Sequence, residues 1–389
     1  MALIHCKPEH WCAVDPTRRA WVEVDLAAIQ GNVAQIRQHI GSKCRLMAVV
    51  KADAYGHGAL AVSRATLEAG ANCLGVATLE EGIQLRQESV QGTIILLGAI
   101  NTPEEALEVQ RWQLEPTLCT PKQVLTFAEA ITQPLPVHLK IDTGMGRLGT
   151  HWQEALSFVR LAYSQPTLQV ASVYSHLATA DEPDSFVLQE QHQRFQFVLK
   201  SLQLEGLAPP SVHLANSAAT LVDSALHYDM VRVGLLIYGL SPGPHLENIL
   251  HLQPSMQVRA RIVQVKTLPA GSGVSYGHHF HTQQPTRVAT VAIGYADGIP
   301  RTLSGKLFGL VRGQRAAQIG NVTMDQLMFD VSGLGDIQEG EIVTLLGCDG
   351  EHCISAQDWA AQLGTISYEI LCGFKHRLPR VVRQFSTVS

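Results

Sequence analysis

Between residues 26 and 240 short apolar runs alternate with amphipathic segments rich in alanine and leucine, and this alternation restricts the fold more than any other feature of the chain. Parallel strands joined by crossover helices produce such a pattern, because the strands are buried on both faces and the helices on one. The runs are RLMAVVK, CLGVAT, TIILLGA, LEPTLC, LPVHLKID, LQVASVYSHL, SVHLANS and MVRVGLLIYG, most of them preceded by a helical pattern such as LAAIQGNVAQIRQHI or ALAVSRATLEAG. Eight is the number that closes a (β/α)8 barrel.

After about residue 252 the texture changes. QVRARIVQVKTL, RVATVAIGYA, FGLVRGQRAAQIG and EIVTLLG alternate apolar with polar residues and are broken by glycine and proline, which predicts a separate, mainly antiparallel domain. The predicted organisation is α/β: a TIM-type barrel over residues 1–252 and a β-rich domain over 253–389, with the boundary near HLQPSM. The early AWVEVD also alternates and is a candidate to pair with the later domain.

A chain of 389 residues suits two such domains. Its net charge of −5, with lysines and arginines scattered, gives no basic face for nucleic acid and no polybasic tail for a membrane, so a small molecule is the expected partner. The opening MALIHCKPEHWC is apolar only over Met1 to Ile4, and no uninterrupted apolar run reaches roughly 18 residues. A soluble cytoplasmic protein is expected, its eight cysteines (6, 12, 44, 73, 119, 348, 353 and 372) reduced and none in C-x-x-C. Cys348, His352 and Cys353 lack zinc-ligand spacing, and the GHHFH tract (His278, His279, His281) reads as a solvated loop, so no metal is predicted.

The strand count puts Lys51 at the C-terminal end of the first barrel strand, where this architecture keeps its reactive groups. A partly desolvated amine there suits Schiff-base chemistry, although a strand-end lysine can equally just reach solvent. The seventh and eighth strands end in HLANSAA and VRVGLL, where barrels bind phosphate through backbone N–H groups and a hydroxyl; Ser217 and Gly234 are the candidates, set against ordinary turn chemistry. A lysine on strand one and a phosphate cradle at strands seven and eight together suggest pyridoxal phosphate. GMGRLG (144–149) matches G-x-G-x-x-G, but no acidic residue stands about 20 positions on, so a dinucleotide fold is rejected and Arg147 becomes a candidate anion contact. His176 ends the sixth strand and is either a cofactor contact or a satisfied rim histidine.

These segments, with AVVKADAYGHG, KIDTGMGRLG, SHLATAD, VRVGLLIYGL, VSYGHHF, AIGYADGIPR and TMDQLMFDV in order, resemble the alanine racemases, fold-type III pyridoxal phosphate enzymes, over nearly the whole length. The resemblance implies that Lys51 holds the cofactor as an imine and serves one face of the substrate Cα, while Tyr276 serves the other. A phenol in water keeps its proton to about pH 10, so such a base needs nearby cations. The resemblance supplies them by putting Tyr276 near His176 and His176 near Arg232, with Arg232 on the pyridine nitrogen. It further implies that Tyr55, Ser217, Gly234 and Leu235 hold the phosphate, that Arg147, Tyr295 and the main chain of Met324 bind substrate, and that Lys140 matches a lysine carbamylated in some relatives. A head-to-tail homodimer with shared sites follows, racemising alanine for peptidoglycan. Serine or a broader range of amino acids, or a non-catalytic pyridoxal phosphate-binding protein, are the alternatives. His376, Asn321 and Thr323 depart from the family pattern.

Overall fold

The structure, a computed structural model, describes residues 17–374 and 376–383. The chain divides into two compact units: residues 27–54 and 58–253 form one, and the described residues up to Leu26, residues 55–57 and those from Pro254 onward form the other. Strand β1 (Ala20–Val24) belongs to the second of these.

The first unit is the expected barrel. Its strands are β2 (Arg45–Val49), β3 (Cys73–Val76), β4 (Thr93–Ala99), β5 (Glu115–Leu118), β6 (Leu135–Asp142), β8 (Leu168–Tyr174), β9 (Val212–His213) and β10 (Met230–Val233), with β7 (Thr150–His151) a short annex beside β6. All neighbours are parallel, in the order β10-β2-β3-β4-β5-β6-β8-β9. The ring closes between β9 and β10 through Asp229 N–H donating to the Val212 carbonyl and Arg232 N–H to the Ala215 carbonyl, both at 3.0 Å.

The helices start where the sequence supplies caps. In ATLEE, NTPEE and CTPKQ a threonine just beyond a strand accepts the N–H three residues on; Thr78 with Glu81 and Thr102 with Glu105 are reciprocal capping boxes, and Pro103 and Pro121 open their helices where no intrahelical N–H is needed. Among the described residues no helix is long and apolar enough to cross a membrane.

In the second unit β11 (Met256–Leu268) pairs with β14 (Thr286–Val291), then follow β17 (Leu327–Asp330), β16 (Gln314–Ile319), β15 (Phe308–Val311) and β18 (Ile342–Asp349), which returns to β11; every one of these pairings is antiparallel. A hairpin of β12 (Gly273–Val274) and β13 (Phe280–His281) presents His278, His279 and His281 exposed, as a solvated loop. AWVEVD does join this unit: β1 runs antiparallel to β11 and parallel to β20 (Arg380–Val382).

One expectation is corrected. Cys348 and Cys353 are joined by a disulfide rather than reduced, because the hairpin of β18 and β19 (His352–Ile354) sets them directly opposite with Cα atoms 4.1 Å apart. That register is invisible in C-x4-C spacing. Cys44, Cys73, Cys119 and Cys372 form no disulfide among the described residues, and Cys6 and Cys12 lie outside the described residues.

Candidate active site

Lys51 follows β2 at the C-terminal mouth of the barrel, and the backbone after it is unusual. Ala52, Asp53, Ala54 and Tyr55 all have φ near +53°, a left-handed turn of four non-glycine residues that costs about 1–2 kcal/mol at each position. Specific bonds hold it: Ala52 N–H donates to Glu81 Oε1 at 2.7 Å, Ala54 N–H to the Val50 carbonyl at 2.9 Å, and Asp53 accepts from the Gly58 and Ala59 N–H groups. The second oxygen of Glu81 completes the capping box described above, so a single carboxylate ties the helix start to the residue after the lysine.

The polar centre of the barrel mouth is Arg232, which is only 4% exposed. Its Nη2 donates to the carbonyls of Ser175 (2.8 Å) and Leu214 (2.9 Å) and to Nδ1 of His176 (3.0 Å), and its Nη1 to Nδ1 of His213 (2.9 Å). Nε makes no hydrogen bond among the described residues. Burial pushes the guanidinium down to about 10, which leaves it charged at neutral pH. The Tyr174 ring lies at the hub of this cluster: His213 stacks on it at 4.5 Å, and the cations of Arg232 and Lys140 stand 5.1 and 5.4 Å from its centroid. Lys140 is buried on β6 and held down to about 8, first by desolvation and then by Arg232. Burial and the same arginine push His176 and His213 well below the usual imidazole range, so both rings are neutral.

At the ends of β9 and β10 the Gly234 N–H donates to Ser217 Oγ at 3.0 Å, which brings a hydroxyl, that backbone amide and the turn containing Leu235 together. Arg147 is exposed on the loop after β6, where the Gly144 and Gly146 N–H groups donate to Asp142. Gly149 closes this loop at φ +120°, where a Cβ would stand 2.8 Å from the Asp142 nitrogen. The glycines of GMGRLG thus serve a tight turn back to the barrel edge and not a nucleotide.

The second unit carries Tyr55, Tyr276, Tyr295 and Met324. Tyr55 is buried with its ring 5.9 Å from that of Tyr368, and burial raises its hydroxyl, so it remains a proton-bearing donor. Tyr276, Tyr295 and Met324 are 75%, 42% and 53% exposed. Their loops are laced together: Asn321 Nδ2 donates to the Tyr276 carbonyl at 2.7 Å, Tyr295 N–H to the Thr323 carbonyl and Ala296 N–H to the Met324 carbonyl, both at 3.0 Å. Asn321 and Thr323, two of the departures from the family pattern, are therefore part of this lacing. His376 is exposed, beside Arg377, whose Nη2 pairs with Asp325 at 2.7 Å.

A lysine after the first strand, a buried arginine on the last and two domains in this order are what the fold-type III resemblance requires. The profile of the alanine racemase N-terminal domain matches residues 24–242 and that of the alanine racemase C-terminal domain residues 255–382. The chain belongs to the alanine racemase family. Alanine racemases of Nostoc and Synechocystis are 58% and 55% identical to it, each alignment covering 94% of this chain and 96% and 99% of theirs. Among solved structures, the alanine racemase of Bacillus anthracis with bound L-Ala-P superposes with a TM-score of 0.89 at 36% identity, covering 94% of this chain and 95% of that one. That of Streptomyces lavendulae gives 0.88 at 39%, covering 95% and 98%. Family membership makes the chain an enzyme, an isomerase, and implies interconversion of the alanine enantiomers; the non-catalytic alternative is set aside.

Sequence reasoning did not find Glu115, His138, Ser172 and His213, which form the polar interior beneath Arg232. The available signal was a polar side chain inside an otherwise apolar strand, as in LPVHLKID and LQVASVY.

Proposed function

We propose that this chain is a cytoplasmic, pyridoxal phosphate-dependent racemase that interconverts L- and D-alanine with Lys51 and Tyr276 as its two proton-transfer groups, supplying D-alanine for peptidoglycan. The observation that carries the reading is Arg232: a buried, permanently charged fork fixed on four acceptors, with Nε left to meet an aromatic nitrogen. The hydroxyl of Ser217 beside the Gly234 amide fits the phosphate end.

When bound, pyridoxal phosphate withdraws electrons from the substrate Cα and makes its proton exchangeable. Lys51 Nζ would hold the cofactor and, once released by the incoming substrate amine, would exchange a proton with Cα on one face. Tyr276 Oη does the same on the other face, since inversion takes a proton from one side and returns one to the opposite side. Arg232 offers a hydrogen bond and keeps its proton. Ser217 Oγ, the Gly234 and Leu235 amides and the Tyr55 hydroxyl would hold phosphate, His176, which accepts from Arg232, would assist the tyrosine base, and Arg147, Tyr295 and the Met324 main chain would orient the substrate. The exposure of Tyr276, Tyr295 and Met324 supports their delivery to a second copy in a homodimer.

The test is incubation of the purified enzyme and pyridoxal phosphate with L-alanine, and separately L-serine, in deuterated water, following optical rotation and Cα deuteration. Loss of rotation with deuteration of alanine is expected. A preference for serine would move the substrate assignment, and no change with either amino acid would defeat the reading.

A further inference from the structure

Inside the barrel five side chains from five strands are joined end to end. Nη1 of Arg232 (β10) donates to Nδ1 of His213 (β9) at 2.9 Å; Nε2 of His213 lies 2.9 Å from Oγ of Ser172 (β8); that hydroxyl is 2.6 Å from Nδ1 of His138 (β6); and Nε2 of His138 is 2.9 Å from Oε2 of Glu115 (β5). The four upper members are at most 4% exposed. Glu115, the first residue of β5, has a side chain 21% exposed. The chain therefore crosses the barrel interior, from Arg232 on β10 to Glu115 at the start of β5.

Its direction is fixed. A guanidinium has only donors, so Nδ1 of His213 must accept and the single proton of that neutral ring must sit on Nε2. Nε2 then donates to Ser172, and with His138 as a neutral ring whose Nε2–H faces the Glu115 carboxylate, the Ser172 hydroxyl donates to Nδ1 of His138. The reverse direction would need arginine to accept. A cation closes the chain at one end and a carboxylate at the other, and each link strengthens the next in a low-dielectric interior.

We propose that Glu115, His138 and Ser172 are positioning residues for the racemase site: through His213 they form a one-way hydrogen-bonded relay that holds the guanidinium of Arg232 in the orientation it presents at the barrel mouth. The proposal rests on the reading that Arg232 faces the cofactor. The relay itself exists or fails independently of that reading.

The test combines histidine 15N NMR with kinetics on the full-length holoenzyme. In the wild type both His213 and His138 show a protonated Nε2 and an unprotonated Nδ1, and Ser172→Ala mixes the tautomers of both rings. Ser172→Thr restores them. The same Ser172→Ala change lowers turnover about tenfold or more at little altered KM, because the guanidinium loses its fixed pose; Glu115→Gln, which keeps an acceptor but removes the charge, gives a smaller loss of the same kind. Either ring carrying its proton on Nδ1, or tautomers unmoved by Ser172→Ala, overturns the relay whether or not the enzyme racemises alanine. Tautomers as assigned with turnover within twofold of wild type in Ser172→Ala overturns the positioning role. A wild type with these tautomers and no racemase activity indicts the cofactor reading instead.

Discussion

Arg232 donates from Nη2 to Nδ1 of His176 at 3.0 Å, which obliges the neutral imidazole to keep its own proton on Nε2. One arginine thereby fixes two histidines, since its Nη1 imposes the same tautomer on His213.

Arg232→Lys tests how much of this depends on the planar fork and not on charge. A lysine ammonium has three donors on a flexible stem and cannot satisfy the Ser175 and Leu214 carbonyls and both imidazoles together. Buried acceptors left without a donor should lower stability by about 2 kcal/mol or more. A denaturation midpoint equal to wild type would contradict the geometry.

Lys140 predicts a pH dependence with a definite sign. Its ammonium is disfavoured in the folded protein, being held down from the ordinary 10.5 to about 8. Below pH 8 both states carry the proton and the penalty is present in full; between about 8 and 10.5 the folded state binds fewer protons, so stability rises with pH. Relative to Lys140→Met, wild type should gain about 3 kcal/mol across that window. Urea unfolding of both proteins from pH 7 to 10.5 measures the difference, and a flat difference would mean that Lys140 does not titrate there.

Gly56 is at φ +80°, and a Cβ on it would stand 2.5 Å from the Leu371 carbonyl oxygen. Gly56→Ala must both adopt a left-handed backbone and push backbone away. The expected cost is about 2 kcal/mol or more. An unchanged thermal midpoint would refute the close approach.

Tyr276→Phe removes one hydroxyl from an exposed side chain, so the fold should be unaffected. Deuterium uptake at Cα should slow by about 100-fold or more when L-alanine is the starting enantiomer, and less from D-alanine. Equal, small losses in both directions would remove the tyrosine from the mechanism.

The barrel was legible because its strands are hydrophobic on both faces while its helices are not, so the eight runs stand out from their surroundings. The second unit was legible only as a class: alternation in QVRARIVQVKTL marks an antiparallel strand but cannot say which neighbours it takes, and the β11 pairing with β18 rests on tertiary register. Lys51 could be placed by counting. The four left-handed residues after it could not, since Ala52, Asp53, Ala54 and Tyr55 have no local preference for that region and are held there by Glu81 and by their own backbone bonds.

The polar interior shows the same division. His138 and Lys140 are two apart on β6, as are Ser172 and Tyr174 on β8, so strand alternation puts each pair on one face. Which of those side chains meet depends on the stagger between strands, and only the structure supplies that. For Cys348 and Cys353 the missing information was likewise a register.

The earliest of the described strands is among the last to find its partners. β1 waits for β11, more than 200 residues downstream, and then for β20 almost at the C-terminus. A fragment ending at Gln253 would carry β1 with both edges bare and residues 55–57 without their companions. Nascent chains halted near the middle should therefore be sticky and slow to mature, and neither half of this enzyme is a piece that can be cut out with a single pair of scissors.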